Sequence, residues 1–437
     1  MQVSVETTSA LERRMKVAVP KEDIDSEIEK RLKSLAGRVK IDGFRPGKVP
    51  FSVVRQKFGG QVRQEVEGEV MQNSYFEAIS QENLHPAGLP HIEPSEDSST
   101  EGLEYVATFE VYPEFELKGV DKIKVERPVV EISDADIDKM LETIRKQRKS
   151  WQAVERAAQD GDQVTIDFVG TIDGEEFQGG TGNQVLVELG SKRMIAGFEE
   201  QLVGAKAGDE LTLSLTFPED YHVKDLAGKP VQFATTVNKV EEPVLPELND
   251  EFATEFGVKE GGLAALRQQV RENMEREVEQ TVTARVKEQV FDGLMGLELL
   301  EVPKSLVDSE IDTLVKQRQQ AMQQYGSAGQ VQDVDPAQFE SQAVRRVSLG
   351  LILSEVIQKN KITVPPARLR EAVEKLAASY ERPEEVVKYY YGDKDRLKEL
   401  ENVTLEEMAV EAVLEQAMVT DKPTSFDALM NSGQTVD

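Results

Sequence analysis

The chain has 437 residues, a formal net charge of −29, no cysteine and three histidines. At roughly 150 residues per domain this length predicts about three domains. Disulfides, thiolate metal sites and a cysteine nucleophile are excluded, and His85, His91 and His222 are too few and too scattered for a metal cluster. No run of about 18 apolar residues could cross a membrane. The opening Met1-Gln2-Val3-Ser4-Val5-Glu6 has neither the basic start nor the apolar core of a secretion signal. A cytoplasmic protein is expected, with no cofactor, no DNA partner and no membrane partner.

Residues 1–113 alternate strand-like and helical patterns. Ile24, Ile28, Leu32 and Leu35 recur at helical spacing after Pro20. A second helical pattern follows Pro50 through Val53, Val54, Phe58, Val62, Val66, Val70, Tyr75 and Ile79, with a break expected at Gly59-Gly60. Leu103, Tyr105, Ala107, Phe109 and Val111 alternate as a half-buried strand does. The two helices frame the most unusual stretch of the chain. Between Lys30 and Arg63 lie ten Lys and Arg against one acid, Asp42, so the remainder of the protein carries −38. At its centre Gly43-Phe44-Arg45-Pro46-Gly47-Lys48-Val49-Pro50 pairs Gly with Pro, which makes a tight exposed turn showing one aromatic and two cations. Cations gathered in one segment of an acidic protein predict a local anionic partner, with nucleic-acid phosphate the usual candidate. The plain alternative is a solvated helical surface.

Residues 133–149 form a helical pattern through Ile137, Met140, Leu141 and Ile144. Between Gly161 and Val240 the chain turns strand-rich and dense in glycine, predicting a small antiparallel half-barrel with one short helix near Phe198. Its aromatic and aliphatic residues are widely spread, and in isolation ordinary core explains them. After Pro243 and Pro246 the sequence reads as wholly helical, with segments at 263–300, 304–325, 336–360, 367–380 and 405–419. Met274, Met295, Met322, Met408 and Met418 are interleaved with charged residues. Helix-packing core accounts for most such positions; an adaptable surface for unfolded chains is the sharper reading.

The turn from Gly43 to Pro50 resembles the signature of the trigger factor family of ribosome-associated chaperones. The middle region resembles an FKBP-type peptidyl-prolyl isomerase through Phe168-Val169-Gly170, Phe177, Gly190, Met194-Ile195-Ala196-Gly197-Phe198-Glu199 and Phe217-Pro218-Glu219-Asp220-Tyr221. Domain order and the helical tail match as well, so the resemblance spans essentially the whole chain. Two departures stand out. Pro46 occupies a position that is basic in some members, which leaves the docking charge to Arg45 and Lys48, and Gln178 replaces an acid common beside the pocket aromatic.

The resemblance implies a multidomain α+β architecture. It places a docking domain at 1–113 with a protruding helical hairpin, then a linker and helix at 114–150 that packs with the C-terminal body. An FKBP-like antiparallel half-barrel follows at 151–245 and an extended all-helical chaperone body at 246–437. It implies ribosome binding through Gly43, Phe44, Arg45 and Lys48, against a tunnel-exit protein and ribosomal RNA. It implies an isomerase pocket of Phe168, Phe177, Val185, Met194, Ile195, Phe198, Tyr221 and Phe233, with Tyr221 as its polar contributor. Truncating Phe198 should then cut activity by about an order of magnitude or more and leave the fold largely intact. Nascent and unfolded polypeptides are the implied clients, with links to protein export and cell division, and a homodimer is possible off the ribosome. Two other readings stay open: a free prolyl isomerase with accessory domains, and an RNA-binding translation factor for which only Phe44 and Phe58 could stack on bases.

Overall fold

The computed structural model describes all residues except 41–43, 45–48, 96–101, 222, 298–299, 325–333, 379, 381 and 432–437. The chain divides into two compact units, Met1–Arg127 with Ala284–Asp421, and Pro128–Thr283 with Lys422–Asp437.

The first unit opens with β1 (Gln2–Thr7) and β2 (Glu12–Val19), then α1 (Lys21–Ala36), α2 (Phe51–Gln81), β3 (His91–Pro94) and β4 (Leu103–Glu110). The strands form an antiparallel sheet in the order β1-β2-β4-β3. Alternation sends Met15, Val17 and Val19 of β2 and Tyr105, Ala107 and Phe109 of β4 into one core, shared with Ile24 and Leu32 of α1 and Val54, Val62 and Val66 of α2. The Tyr105 hydroxyl enters that core satisfied, 2.8 Å from Ser74 Oγ and donating to Met71 O at 3.1 Å. Both helices start directly after a proline, Pro20 and Pro50. Contrary to the expected break, α2 runs unbroken through Gly59-Gly60. The glycines cost roughly 1 kcal/mol each in a helix, and the apolar face buried on either side of them outweighs that cost.

Next come β5 (Lys124–Val129) and α3 (Asp134–Gln147). Ser133 caps α3 reciprocally: its hydroxyl accepts from Asp136 N while the Asp136 carboxylate accepts from Ser133 N. The apolar stripe of α3, Ile137 and Leu141, packs with Phe252, Leu266, Val270, Met274 and Phe426 in the second unit.

That unit also holds β6 (Ser150–Ala153), β7 (Gln163–Ile172), β8 (Glu175–Glu188), α4 (Phe198–Leu202), β9 (Glu210–Thr216) and β10 (Pro230–Val244). The five strands form one antiparallel sheet: the order is β6-β10-β7-β8, with β9 also paired to β10. The sheet is open rather than closed into a barrel, and α4 lies over it through Phe198 and Leu202. Register shifts in the β7–β8 pair, between Ile166 and Phe168 and between Val169 and Thr171, bend the sheet where its aromatics gather.

The remaining elements are α5 (Asp250–Glu255), α6 (Gly262–Met295), α7 (Lys304–Gln324), α8 (Glu340–Asn360), α9 (Pro366–Ala377), α10 (Pro383–Tyr391), α11 (Lys394–Leu414), β11 (Met418–Pro423) and α12 (Phe426–Asn431). This region is mostly but not wholly helical, which corrects the all-helical expectation. Residues 418–423, the first two of them assigned to the end of a helix, instead form β11 beside β5. Met418 N donates to Ile123 O at 2.8 Å, and Arg127 grips Asp421 through two hydrogen bonds of 2.7 and 3.1 Å. The helix α10, with its run of tyrosines, is a further element that the sequence reading did not place. Glu110 at the end of β4 accepts from Lys304 N and Ser305 N, satisfying two free donors at the start of α7.

Candidate functional site

The eight residues expected to form a pocket lie in one cluster of the β6–β10 sheet, although they span positions 168 to 233. Phe198 and Phe233 are buried, while Phe168, Phe177, Val185, Met194, Ile195 and Tyr221 are half-buried against them. The rings meet edge to face. Phe168 stands 6.0 Å from Phe198 and 5.6 Å from Phe233, Phe198 is 5.4 Å from Phe233, and Phe177 is 6.4 Å from Phe233. Period-two alternation on β7 and β10 aims Phe168 and Phe233 at the same face, and α4 delivers Phe198 to it.

Three glycines make room for these rings, and at one of them, Gly180, a Cβ would come within 2.8 Å of Phe177. Phe233 pairs directly with Gly170 across the sheet, and a Cβ at Gly170 would come within 2.6 Å of Phe233 and 2.9 Å of Phe177. Gly182 likewise sits opposite Phe168, and its Cβ would approach the ring to 2.6 Å. The absent side chains are therefore what lets the rings pack this closely against the strands.

Three contributors escaped the sequence reading. Phe217 is buried and links the cluster, 5.9 Å from Phe177 and 4.7 Å from Tyr221; its place in the Phe217-Pro218-Glu219-Asp220-Tyr221 motif was the available signal. Asp167 accepts from Gln184 N at 2.6 Å, and this bond, helped by Asn238, holds its carboxyl below the usual range. That bond fixes Gln184, in a left-handed conformation, directly beside Val185. Glu199, adjacent to Phe198, is 5% exposed. Burial pushes its carboxyl upward, but donors from Lys192, Met194, Ser191 and Arg193 outweigh this and hold it below its ordinary value.

A neighbouring recess of about 840 Å³ contains none of the eight residues and is bordered by Thr171, Gln201, Ser214 and Gln232. Its walls mix these polar groups with Leu215, Pro230 and Val231, whereas the aromatic cluster is apolar apart from the Tyr221 hydroxyl. Rotation about a prolyl bond faces a barrier of roughly 20 kcal/mol and changes no covalent bond. The twisted amide loses its charge separation, so an apolar surround stabilises it relative to the planar amide. No acid–base pair is needed for that chemistry.

The basic segment has its own geometry. Phe44 is 40% exposed between α1 and α2, while Gly43, Arg45 and Lys48 lie outside the described residues. Arg31 pairs with Glu69, Lys30 with Glu27, Lys33 with Glu29 and Arg63 with Glu67. Arg38, Lys40, Arg55 and Lys57, on either side of the turn in sequence, are all exposed. Carboxylates thus pair with Lys30, Arg31, Lys33 and Arg63, and Glu29 also feels the charge of Arg55. Phe58 packs against the domain core, which removes one of the two aromatics considered for base stacking.

Three family models account for the chain. Bacterial trigger factor protein matches residues 1–144, the C-terminus of the same family matches 262–415, and FKBP-type peptidyl-prolyl cis-trans isomerase matches 154–240. The middle domain is therefore an FKBP-type prolyl isomerase, carried by a chaperone. The trigger factor of Pseudomonas paraeruginosa is 51% identical over 98% of this chain and 97% of its own length. That of Thioalkalivibrio sulfidiphilus is 52% identical over 99% and 98%, and that of Idiomarina loihiensis 50% identical over 99% and 100%. This chain belongs to the trigger factor family. A solved structure described as "Promiscuous Substrate Recognition in Folding and Assembly Activities of the Trigger Factor Chaperone" covers 95% of this chain at 18% identity, with a TM-score of 0.49. None of the described helices is long and apolar enough to cross a membrane.

Proposed function

We propose that this chaperone docks at the ribosomal tunnel exit through the turn between α1 and α2, against a ribosomal protein and nearby RNA. In the cytoplasm it shelters nascent polypeptides and keeps them open for folding or export. Its prolyl isomerisation takes place in the cluster from Phe168 to Phe233, with Tyr221 as the polar contributor. Residues 1–113 serve docking, 114–150 link and support the helical body, 151–245 isomerise, and 246–437 hold clients.

The observation that carries the docking reading is the sorting of charge on the helical pair. Acids pair with Lys30, Arg31, Lys33 and Arg63, while Arg38 and Lys40 lie exposed just before the turn in sequence and Arg55 and Lys57 lie exposed after it, with Phe44 exposed between. An exposed aromatic flanked in sequence by exposed cations suits a surface made of protein and phosphate. For client holding, support comes from tyrosines more than from methionines. Tyr389 and Tyr391 of α10 are at least half exposed, whereas Met274 is 2% exposed in a core and the exposed Met418 lies on β11 rather than on a helix. Amphipathic rings displayed on helices can contact many unfolded segments weakly.

The test is cosedimentation of the full chain with salt-washed ribosomes, comparing wild type with a variant in which Arg38, Lys40, Arg55 and Lys57 are all changed to Ala. The variant should bind at least about tenfold more weakly and show a shallower salt dependence, because fewer counterions are released. Unchanged affinity and salt slope in the folded variant would refute docking through these cations.

A further inference from the structure

Glu199 opens α4 immediately after Phe198, and its carboxylate is enclosed. Oε1 accepts from Arg193 N at 2.9 Å, Met194 N at 3.1 Å and Ser191 Oγ at 3.1 Å, while Oε2 accepts from Lys192 N at 2.9 Å. Three successive backbone N–H groups thus converge on one carboxylate, the arrangement of an anion-binding nest whose anion is an internal side chain. Lys192 is held at φ +56, a left-handed conformation that a non-glycine residue keeps only when its surroundings enforce it. The loop runs straight on into Met194 and Ile195, and Ile195 O accepts from Phe198 N at 3.0 Å. One charged group therefore ties two walls of the aromatic cluster together.

A turn this short can be closed without burying a charge. Ionic acceptors form shorter and stronger hydrogen bonds than neutral ones, so they restrict a loop more tightly. We infer that Glu199 is a positioning residue for the isomerase: it touches no substrate, and it holds Met194 and Ile195 at fixed distance from Phe198, so that the pocket is already shaped for the twisted prolyl amide. This inference rests on the pocket assignment above. The predicted cost of losing Glu199 falls on turnover more than on binding, because a loosened wall still covers a planar peptide but no longer fits the transition state.

The experiment measures kcat and KM of the full chain on a peptide with an apolar residue before proline, together with the backbone amide spectrum. Four variants are compared: Glu199→Gln, Glu199→Asp, Glu200→Gln and Phe168→Ala. Glu199→Gln turns one acceptor into a donor facing an N–H group. Its kcat should fall by about tenfold, equivalent to ~1.4 kcal/mol, with KM changing by less than about threefold. The amide shifts of Lys192, Arg193 and Met194 should move with it. Glu199→Asp should lose activity too, since the carboxylate withdraws by one methylene from its donors, and Glu200→Gln on the exposed side of α4 should match wild type. If Phe168→Ala is impaired while folded Glu199→Gln stays within about twofold of wild type, the pocket stands and the inference about Glu199 is wrong. A wild-type Glu199→Asp would likewise overturn it, because charge without placement would then suffice. Full activity in Phe168→Ala would remove the pocket assignment and this inference together. Should Glu199→Gln fail to fold, Ser191→Ala carries the test. It removes one donor and keeps the carboxylate, so a drop of about threefold supports the inference and an unchanged rate refutes it.

Discussion

The isomerase cluster shows how burial and reactivity share residues. Phe198 is fully buried among Phe168, Phe233 and the strands beneath them, so its truncation cannot be the clean activity variant that the sequence suggested. Phe198→Ala should destabilise the domain by about 3–5 kcal/mol through the cavity it leaves, as well as abolish activity. Chemical denaturation alongside the refolding assay would separate the two losses. Tyr221→Phe is the better probe, because it keeps the half-buried ring against Phe217 and removes only the hydroxyl. If Tyr221 contributes polarity to the site, activity should fall several-fold at unchanged stability. An unaltered rate would show that apolar enclosure does the whole work. Acid should also act at this scale. Glu199 and Asp162, the latter gripped by Arg156, both have carboxyls held below their usual values. A depressed folded-state pKa contributes stability that is complete above the unfolded value, about 4, and is lost as pH falls through the folded value. The domain should therefore keep its full stability at neutral pH and lose it only below about pH 4, which a denaturation series against pH would show. Stability lost already between pH 6 and 5 would contradict those two depressed values. The eight residues proposed for the pocket were named only through their likeness to a family. Spacing alone offered ordinary core, because sheet pairing, not period, brings Phe168 beside Phe233. Glu199 stood in the Met194-Ile195-Ala196-Gly197-Phe198-Glu199 motif, but its role was not legible there, since it lies in the N–H groups of a loop.

Elements were legible where burial imposed a period. Alternation in β4 and the helical spacing of α1 and α3 follow directly from their one-sided cores. The misreadings fall where local preference and tertiary packing disagree. Gly59-Gly60 favours a break, yet the buried valines on either side hold α2 continuous. Neither glycine is there for space: a Cβ at Gly60 meets nothing within 4 Å, and one at Gly59 meets only the Arg55 side chain at 3.8 Å. Changing both to Ala should therefore stabilise α2 by about 0.5–1 kcal/mol per site, measurable as a rise in the thermal midpoint. A fall would mean that α2 needs to bend at this point. The strand β11 was missed for the opposite reason. Every residue of Met418–Pro423 is exposed, so no alternation marks it, and its pairing with β5 is set by a partner almost three hundred positions away in sequence.

At the scale of the whole molecule the account separates three activities. The sheet from β6 to β10 has its own core and its own aromatic cluster. Residues 151–245 should therefore fold alone and accelerate a proline-limited refolding reaction, and a folded fragment no faster than buffer would defeat that claim. Residues 1–150 joined to 246–437 should still delay aggregation of a denatured client, since exposed tyrosines on α10 remain. A folded chain without that effect would move the client surface into the isomerase domain. The central claim is that a family chaperone with an isomerase domain works at the ribosome through the turn around Phe44. Replacing Phe44, Arg45 and Pro46 together by Ala removes the exposed anchor and the adjoining cation. Desolvated contacts of this kind are typically worth ~1–3 kcal/mol each, so affinity should fall by about a hundredfold or more. The decisive measurement is ribosome cosedimentation of wild type and this triple variant at two salt concentrations, with circular dichroism to confirm folding and the isomerase assay on the same samples. The account predicts salt-sensitive binding by wild type, none by the variant, and equal isomerase rates; ribosome binding by the folded variant at wild-type strength would contradict it.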